Sequence, residues 1–370
     1  MHINSQFDGG NIEVLSCHDA QDIQLAIRKD SNSDFLQWFS FHLYAPKGTD
    51  IHIRIVNAKE TSYVRGWVDY KARYSYDEEN WRQADTDYDG ELHIKLTMEQ
   101  DSISIAYFAP YPMSRHHRLV RWTQQQGATI QSLGKSIQGR SMDLIRTGNG
   151  SKQLWFIARQ HPGETMAEWW MEGFCEALFD SANPLAYELR QHATIHLVPN
   201  MNPDGSFLGN LRSNAVGTNL NREWKTPTLA RSPEVLYVRN EMERTGVDFM
   251  LDVHGDESIP YNFFSGPEGI PSYNKRIERI YKNYTQHLLD RSPDFQTAYG
   301  YPKNAPGTAN LTVCANYISE AFQCVAITLE QPFKDNALTP MPDVGWSPQR
   351  AKHFGAACLA ACVPLLSDLE

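Results

Sequence analysis

Residues 154–158, 194–198, 248–253 and 325–329 are short apolar runs, and they constrain this chain more than any other feature of it. Each is too short for a buried helix and has the length of a strand covered on both faces. Helical periodicity follows the first run from Thr165 to about Phe179, and recurs over about 274–290 and 348–362. Strands alternating with helices predict an α/β domain with a mixed, mostly buried sheet flanked by helices.

The first 110 or so residues read differently. Phe39, Phe41 and Leu43 alternate with polar residues, as do Ile51, Ile53 and Ile55, which is the period of half-buried strands. Turn signals at Pro46-Lys47-Gly48 and Asp87-Tyr88-Asp89-Gly90 punctuate these runs. Short strands at regular spacing predict a small antiparallel β-sandwich. The segment Ala109-Pro110-Tyr111-Pro112 marks the change of pattern. The expected organisation is an N-terminal β-sandwich domain over 1–112 and a catalytic α/β domain over 113–370, within the reach of a 370-residue chain.

The chemistry-bearing residues follow the apolar runs. His161-Pro162-Gly163-Glu164 comes after 154–158, Asn202-Pro203-Asp204-Gly205 after 194–198, His254 after 248–253, and Glu330 closes 325–329. Ligands of open α/β sheets bind at the carboxyl ends of the strands, so these segments are expected to converge on one crevice. His161, Glu164 and His254 can hold a zinc ion with a coordination position left open, the ligand count of a hydrolytic site. Gly163 is expected to let the backbone bend tightly between the first two ligands. Glu330 is a candidate general base, although a Glu at a strand end is also a common cap or Lys partner. Arg212 and Arg222 are candidate anion anchors, with a solvated surface Arg the plainer reading of either.

A formal net charge of −10 gives no electrostatic support for a nucleic-acid role. The six Cys form no Cys-x-x-Cys pair, which excludes zinc-finger and thioredoxin readings and fits a reducing compartment. No run approaches the ~18 apolar residues of a membrane span, and the N-terminus lacks the basic start and apolar core of a signal peptide. A cytoplasmic protein is expected; the sequence gives no oligomeric state.

Taken in order, His-x-x-Glu at 161–164, Asn-Pro-Asp-Gly at 202–205, Asn221-Arg222, His254 and Glu330 resemble the zinc metallocarboxypeptidases of the carboxypeptidase A superfamily. His-Pro-Gly-Glu-Thr at 161–165, the leading β domain and Tyr-Phe-Ala-Pro-Tyr-Pro at 107–112 are similar to the cytosolic carboxypeptidase branch. The resemblance implies one Zn2+ per chain on His161, Glu164 and His254. It implies Glu330 as general base and Arg212 as the group that polarises the scissile carbonyl. Asn221 and Arg222 would hold the terminal carboxylate of a peptide or protein substrate, from which a C-terminal amino acid is removed. Two positions depart from the family pattern. Asn219 stands where Asp is usual, which is expected to weaken support of a zinc-bound His. Asn310 stands where deglutamylating members carry a basic residue, which puts a preference for C-terminal glutamate in question; Lys303 is a candidate substitute. Tyr299 and Tyr301 are both candidates for the substrate-capping Tyr. An aspartoacylase-like amidohydrolase shares much of the zinc motif but places its extra β domain after the catalytic one. A non-catalytic peptide-binding relative is supported only by Asn219.

Overall fold

The computed structural model describes residues 1–369. The N-terminal part contains two five-stranded sheets. One runs His2–Asn4, Ser40–Tyr44, Ser102–Ala106, Arg73–Ser75, Arg82–Gln83, with every neighbouring pair antiparallel. The other runs Glu13–Ser16, Ile23–Ala26, Asp50–Ile55, Leu92–Thr97, Asp85–Tyr88. It departs from the antiparallel expectation at one pairing, Ile23–Ala26 with Asp50–Ile55, which is parallel. The alternation read from the sequence is the burial pattern: Phe39, Phe41, Leu43, Ile51, Ile53 and Ile55 all point into the core.

The second part is built on a seven-stranded mixed sheet. Its order is Thr129–Lys135, Ser141–Thr147, Ala193–Val198, Lys152–Ala158, Phe249–Asp256, Val325–Pro332, Phe263–Ser265. The four strands in the middle are mutually parallel, and the outer ones join antiparallel. Both faces are covered. Leu154, Phe156 and Ala158 enter one core with the helices Met166–Phe179 and Pro348–Leu365, while Trp155 and Ile157 enter a second beneath Pro233–Thr245 and Cys314–Phe322. That double burial is why these strands read as continuous apolar runs rather than alternating ones. Gly173 and Gly355 let the first two helices touch backbone to backbone. A Cβ at Gly173 would lie 2.1 Å from the Lys352 carbonyl oxygen, and one at Gly355 would lie 2.2 Å from that of Trp170.

Strand order fixes where a site can form. After Lys152–Ala158 the chain crosses to one side for Ala193–Val198, then to the other for Phe249–Asp256. The crevice between Lys152–Ala158 and Phe249–Asp256 is therefore a topological switch point, open at the strands' carboxyl ends. Residues 107–111, at the change of pattern, are largely buried. The Ala109 carbonyl accepts from Thr165 Oγ1 at 2.8 Å and Trp169 Nε1 at 3.1 Å, tying the connection to the first turns of the helix behind His161.

Candidate active site

His161 and Glu164 lie on the turn leaving Lys152–Ala158, and His254 lies near the end of Phe249–Asp256. Arg159, just ahead, adopts a left-handed φ of 60°. Such a conformation is unusual for a side chain of this size. Its guanidinium holds it there by donating to the Pro162 and Tyr111 carbonyls and to Glu168. Gly163 lies in the tight turn expected of it, closed by the Glu164 N–H donating to the His161 carbonyl at 3.2 Å. Its φ is not in the left-handed region. It allows close approach instead: its N–H donates to the Leu211 carbonyl at 2.8 Å, and a Cβ would crowd Leu211 at 3.0 Å. The turn carrying two candidate ligands is thereby fastened to the loop carrying Arg212.

One ligating atom each from His161, Glu164 and His254 lie within 4.8 Å of one another, and all three residues are buried. Glu164 Oε1 is 2.7 Å from His161 Nδ1, and its Oε2 is 2.8 Å from His254 Nδ1. The two Nδ1 atoms are 3.1 Å apart. Each ring's other nitrogen faces oxygen: His161 Nε2 meets Asn219 Oδ1 at 3.0 Å, and His254 Nε2 meets Asp252 Oδ2 at 3.0 Å. Asn219 Oδ1 also accepts from the Asn221 N–H, which fixes the amide's orientation. With each Nε2 turned to an oxygen, both Nδ1 atoms are turned toward one carboxylate. Such a cluster of bases calls for a cation, and two imidazoles with one carboxylate are the donors of a catalytic zinc site. Burial and the nearby Arg212 push the pKa of His161 down to about 4; against burial, Asp252 and Glu164 hold His254 well above its ordinary range, and Glu164, despite its own burial, is kept ionised in return.

A cleft of about 390 Å³ opens over this cluster, lined among others by Tyr63, Arg212, Arg222, Tyr301, Asn310 and Glu330. Glu330 sits beside His254 in strand register. Its Oε1 is 3.3 Å from the Tyr301 hydroxyl, and its buried Oε2 has no partner. Burial, reinforced by Glu164 and Asp256, raises its pKa to about 8 against the pull of His254. Of the two candidate Tyr residues, Tyr301 lines the cleft and bonds Asp256 at 2.7 Å, whereas Tyr299 stacks on Tyr261 with ring centres 4.5 Å apart. Burial and the charge of Arg212 both depress the pKa of Arg222, as expected where two guanidiniums face one cavity. Asn221 Oδ1 accepts from the Cys314 N–H at 2.8 Å, leaving its Nδ2 beside His254.

Sequence reasoning missed two sets of residues here. Asp252 was legible: it lies two positions before His254 on a strand, so both side chains share a face. Asp30, Phe35 and Tyr63 were not. Asp30 is buried and accepts from the N–H groups of Leu211, Arg212 and Ser213 at 2.6–2.9 Å and from the Ser213 hydroxyl at 2.9 Å. Phe35 and Tyr63 flank the Arg212 guanidinium, each with its ring centre 5.6 Å away. The N-terminal part thus builds one wall of the cleft. We predict that Asp30→Ala loses about 2–4 kcal/mol of stability, because it strands several buried donors, and lowers kcat/KM by loosening Arg212. Denaturant unfolding and steady-state kinetics check this; wild-type values for both would refute it.

A switch-point cleft with a two-His, one-carboxylate cluster defines a metal-dependent hydrolase. Residues 118–348 match the zinc carboxypeptidase family, residues 3–108 match the cytosolic carboxypeptidase N-terminal domain, and the chain belongs to the zinc carboxypeptidase family. It is a peptidase. A metallo-carboxypeptidase from Pseudomonas aeruginosa, solved in complex with (2-guanidinoethylmercapto)succinic acid, is 43% identical with a TM-score of 0.97, covering 100% of both chains. An uncharacterised protein of Zymomonas mobilis is 49% identical over 100% of this chain and 97% of its own length. Cytosolic carboxypeptidase 6 of Caenorhabditis elegans is 25% identical, over 89% of this chain and 78% of its own. Among the described residues no helix is long and apolar enough to cross a membrane.

Proposed function

We propose that this chain removes C-terminal amino acids from peptides or proteins, with one zinc ion held by His161, Glu164 and His254. The observation that carries the reading is the convergence of both Nδ1 atoms and Glu164 beneath a cleft that also holds Glu330, Arg212 and Arg222. When bound there, zinc supplies Lewis acidity, lowering a water's pKa and polarising a carbonyl. Arg222 and Asn221 seat the terminal carboxylate, which places the last peptide bond over the cluster. Arg212 faces the oxygen on which negative charge develops. The unpartnered Oε2 of Glu330 takes the attacking water's proton and returns it to the departing amine. Tyr301, whose hydroxyl is 3.3 Å from Glu330 Oε1, caps the substrate beside that base.

The finer question is the favoured C-terminal side chain. Lys303 pairs with Glu268 at 2.9 Å and is 78% exposed, so it does not supply the cation that Asn310 lacks. The cleft offers Ser265, Asn310, Asn316 and Thr328 instead. These neutral donors accept glutamate without excluding uncharged polar residues. Mass spectrometry of peptides ending in Glu, Asp, Leu, Phe, Lys and a γ-linked Glu, incubated with zinc-loaded protein, tests both levels. Stepwise C-terminal loss supports the reading; intact peptides throughout would refute it and favour an amidohydrolase or a non-catalytic relative.

Arg222→Ala is expected to raise KM for free C-termini by about 10–100-fold, the worth of a charge-assisted contact. Steady-state kinetics on matched free and amidated peptides measures this, and equal handling of the pair by wild type would remove the role.

A further inference from the structure

Glu257 follows directly on the His254 strand, yet nothing in the zinc, base or carboxylate-anchor roles uses it. It is 5% exposed and lines the cleft, and its Oε1 lacks any hydrogen-bond partner. Among the described residues it forms no ion pair, while Arg212's contact within salt-bridge range goes to Glu164 at 4.0 Å. Its position is set by close packing. A Cβ at Gly66 would lie 3.1 Å from the Glu257 Cβ, so the N-terminal part packs tightly against it there. Tyr63 and Arg212 line the same cleft. A buried carboxyl with an open valence is costly unless something donates to it, and Glu257 lines the cleft by which a donor arrives.

Direction along the substrate follows from the neighbours, and rests on the carboxypeptidase reading. The terminal carboxylate lies at Asn221–Arg222, and Arg212 meets the scissile carbonyl. A group beside Arg212 and Tyr63 therefore meets the acyl side of the bond. We propose that Glu257 is a specificity-determining residue for the penultimate residue of the substrate: it accepts a hydrogen bond from a Lys or Arg side chain there and leaves an acidic one without a cationic partner. Burial raises the Glu257 carboxyl well above its ordinary range; a cationic group brought against it restores the ionised form, whereas a second carboxylate raises it further. The N-terminal part, through Tyr63 and Gly66, then shapes which sequences enter as well as buttressing the site.

The test uses the full-length zinc-loaded protein and three peptides sharing one C-terminal residue, with Lys, Ala or Glu before it. Wild type is expected to favour Lys over Glu in kcat/KM on the order of 100-fold, with Ala between, as an ion pair that only the Lys peptide forms in a desolvated cleft predicts. Glu257→Gln keeps the shape and removes the charge, and is expected to move the Lys and Glu peptides in opposite directions relative to Ala, narrowing the ratio to about tenfold or less. A merely structural role would lower all three together. Equal cleavage of all three by wild type, or a ratio unmoved in Glu257→Gln, overturns the subsite alone. Failure of the zinc-loaded wild type to cleave any of them overturns the carboxypeptidase reading and the subsite with it.

Discussion

Glu330→Gln is expected to keep full zinc occupancy and to lose turnover by about 10²–10⁴-fold, the range assigned to a positioned general base. The change is nearly isosteric, so the strand and its register beside His254 are retained. What disappears is the proton acceptor. In the native protein Oε2 is buried and unpartnered, an arrangement that costs stability and is retained where a reacting group will fill the vacancy. The pKa of about 8 reflects burial first and the carboxylates Glu164 and Asp256 second. A cation at the neighbouring cluster favours the ionised form and draws the group toward the range of an effective base. Kinetics with parallel metal analysis decide the matter. Near-normal kcat at full zinc would remove Glu330 from the mechanism. Loss of zinc along with activity would make it a structural support of the cluster instead.

The legible half of this protein and the illegible half differ in contact range. The four parallel strands were readable because burial on both faces writes itself as an apolar run, and the residues at their ends became the site because sheet topology sends them to one crevice. The helices Met166–Phe179, Lys275–Leu289 and Pro348–Leu365 followed from periodicity to within a few residues. The helix Met113–Gln125 did not, because two of its buried positions are His116 and Thr123, where an apolar stripe would be sought. His116 is buried between Glu168 and Asp143, at 2.6 and 3.2 Å, partners that local sequence does not announce. The strands Thr129–Lys135 and Ser141–Thr147 are partly exposed and polar, so they lack the signal of their neighbours. Asp30 stands 182 positions from Arg212, and no periodicity links them. Asn219 shows the limit of arguing from a substitution. Its amide oxygen makes the contact to His161 that a carboxylate would, as a neutral acceptor, while Asp252 supplies the charged one to His254.

His161→Ala is expected to abolish stoichiometric zinc, weakening affinity on the order of a thousand-fold or more and taking activity with it. Removing one of three protein ligands leaves Glu164 and His254, too few to hold zinc against water. The effect should exceed that of any residue behind the ligands, for which about 10–100-fold is usual; Asn219→Ala provides that comparison, because it deletes only the acceptor that orients the His161 ring. Fold is expected to survive, since His161 lies on a turn and its removal breaks no strand pairing. The substitution also leaves Glu164 beside a single imidazole, and the variant should still unfold cooperatively. Metal analysis after dialysis, together with thermal unfolding, separates the outcomes. One zinc per chain in His161→Ala would show that the ligand set is wrong. Zinc lost from Asn219→Ala as completely as from His161→Ala would show that ring orientation, more than ligand count, governs affinity here.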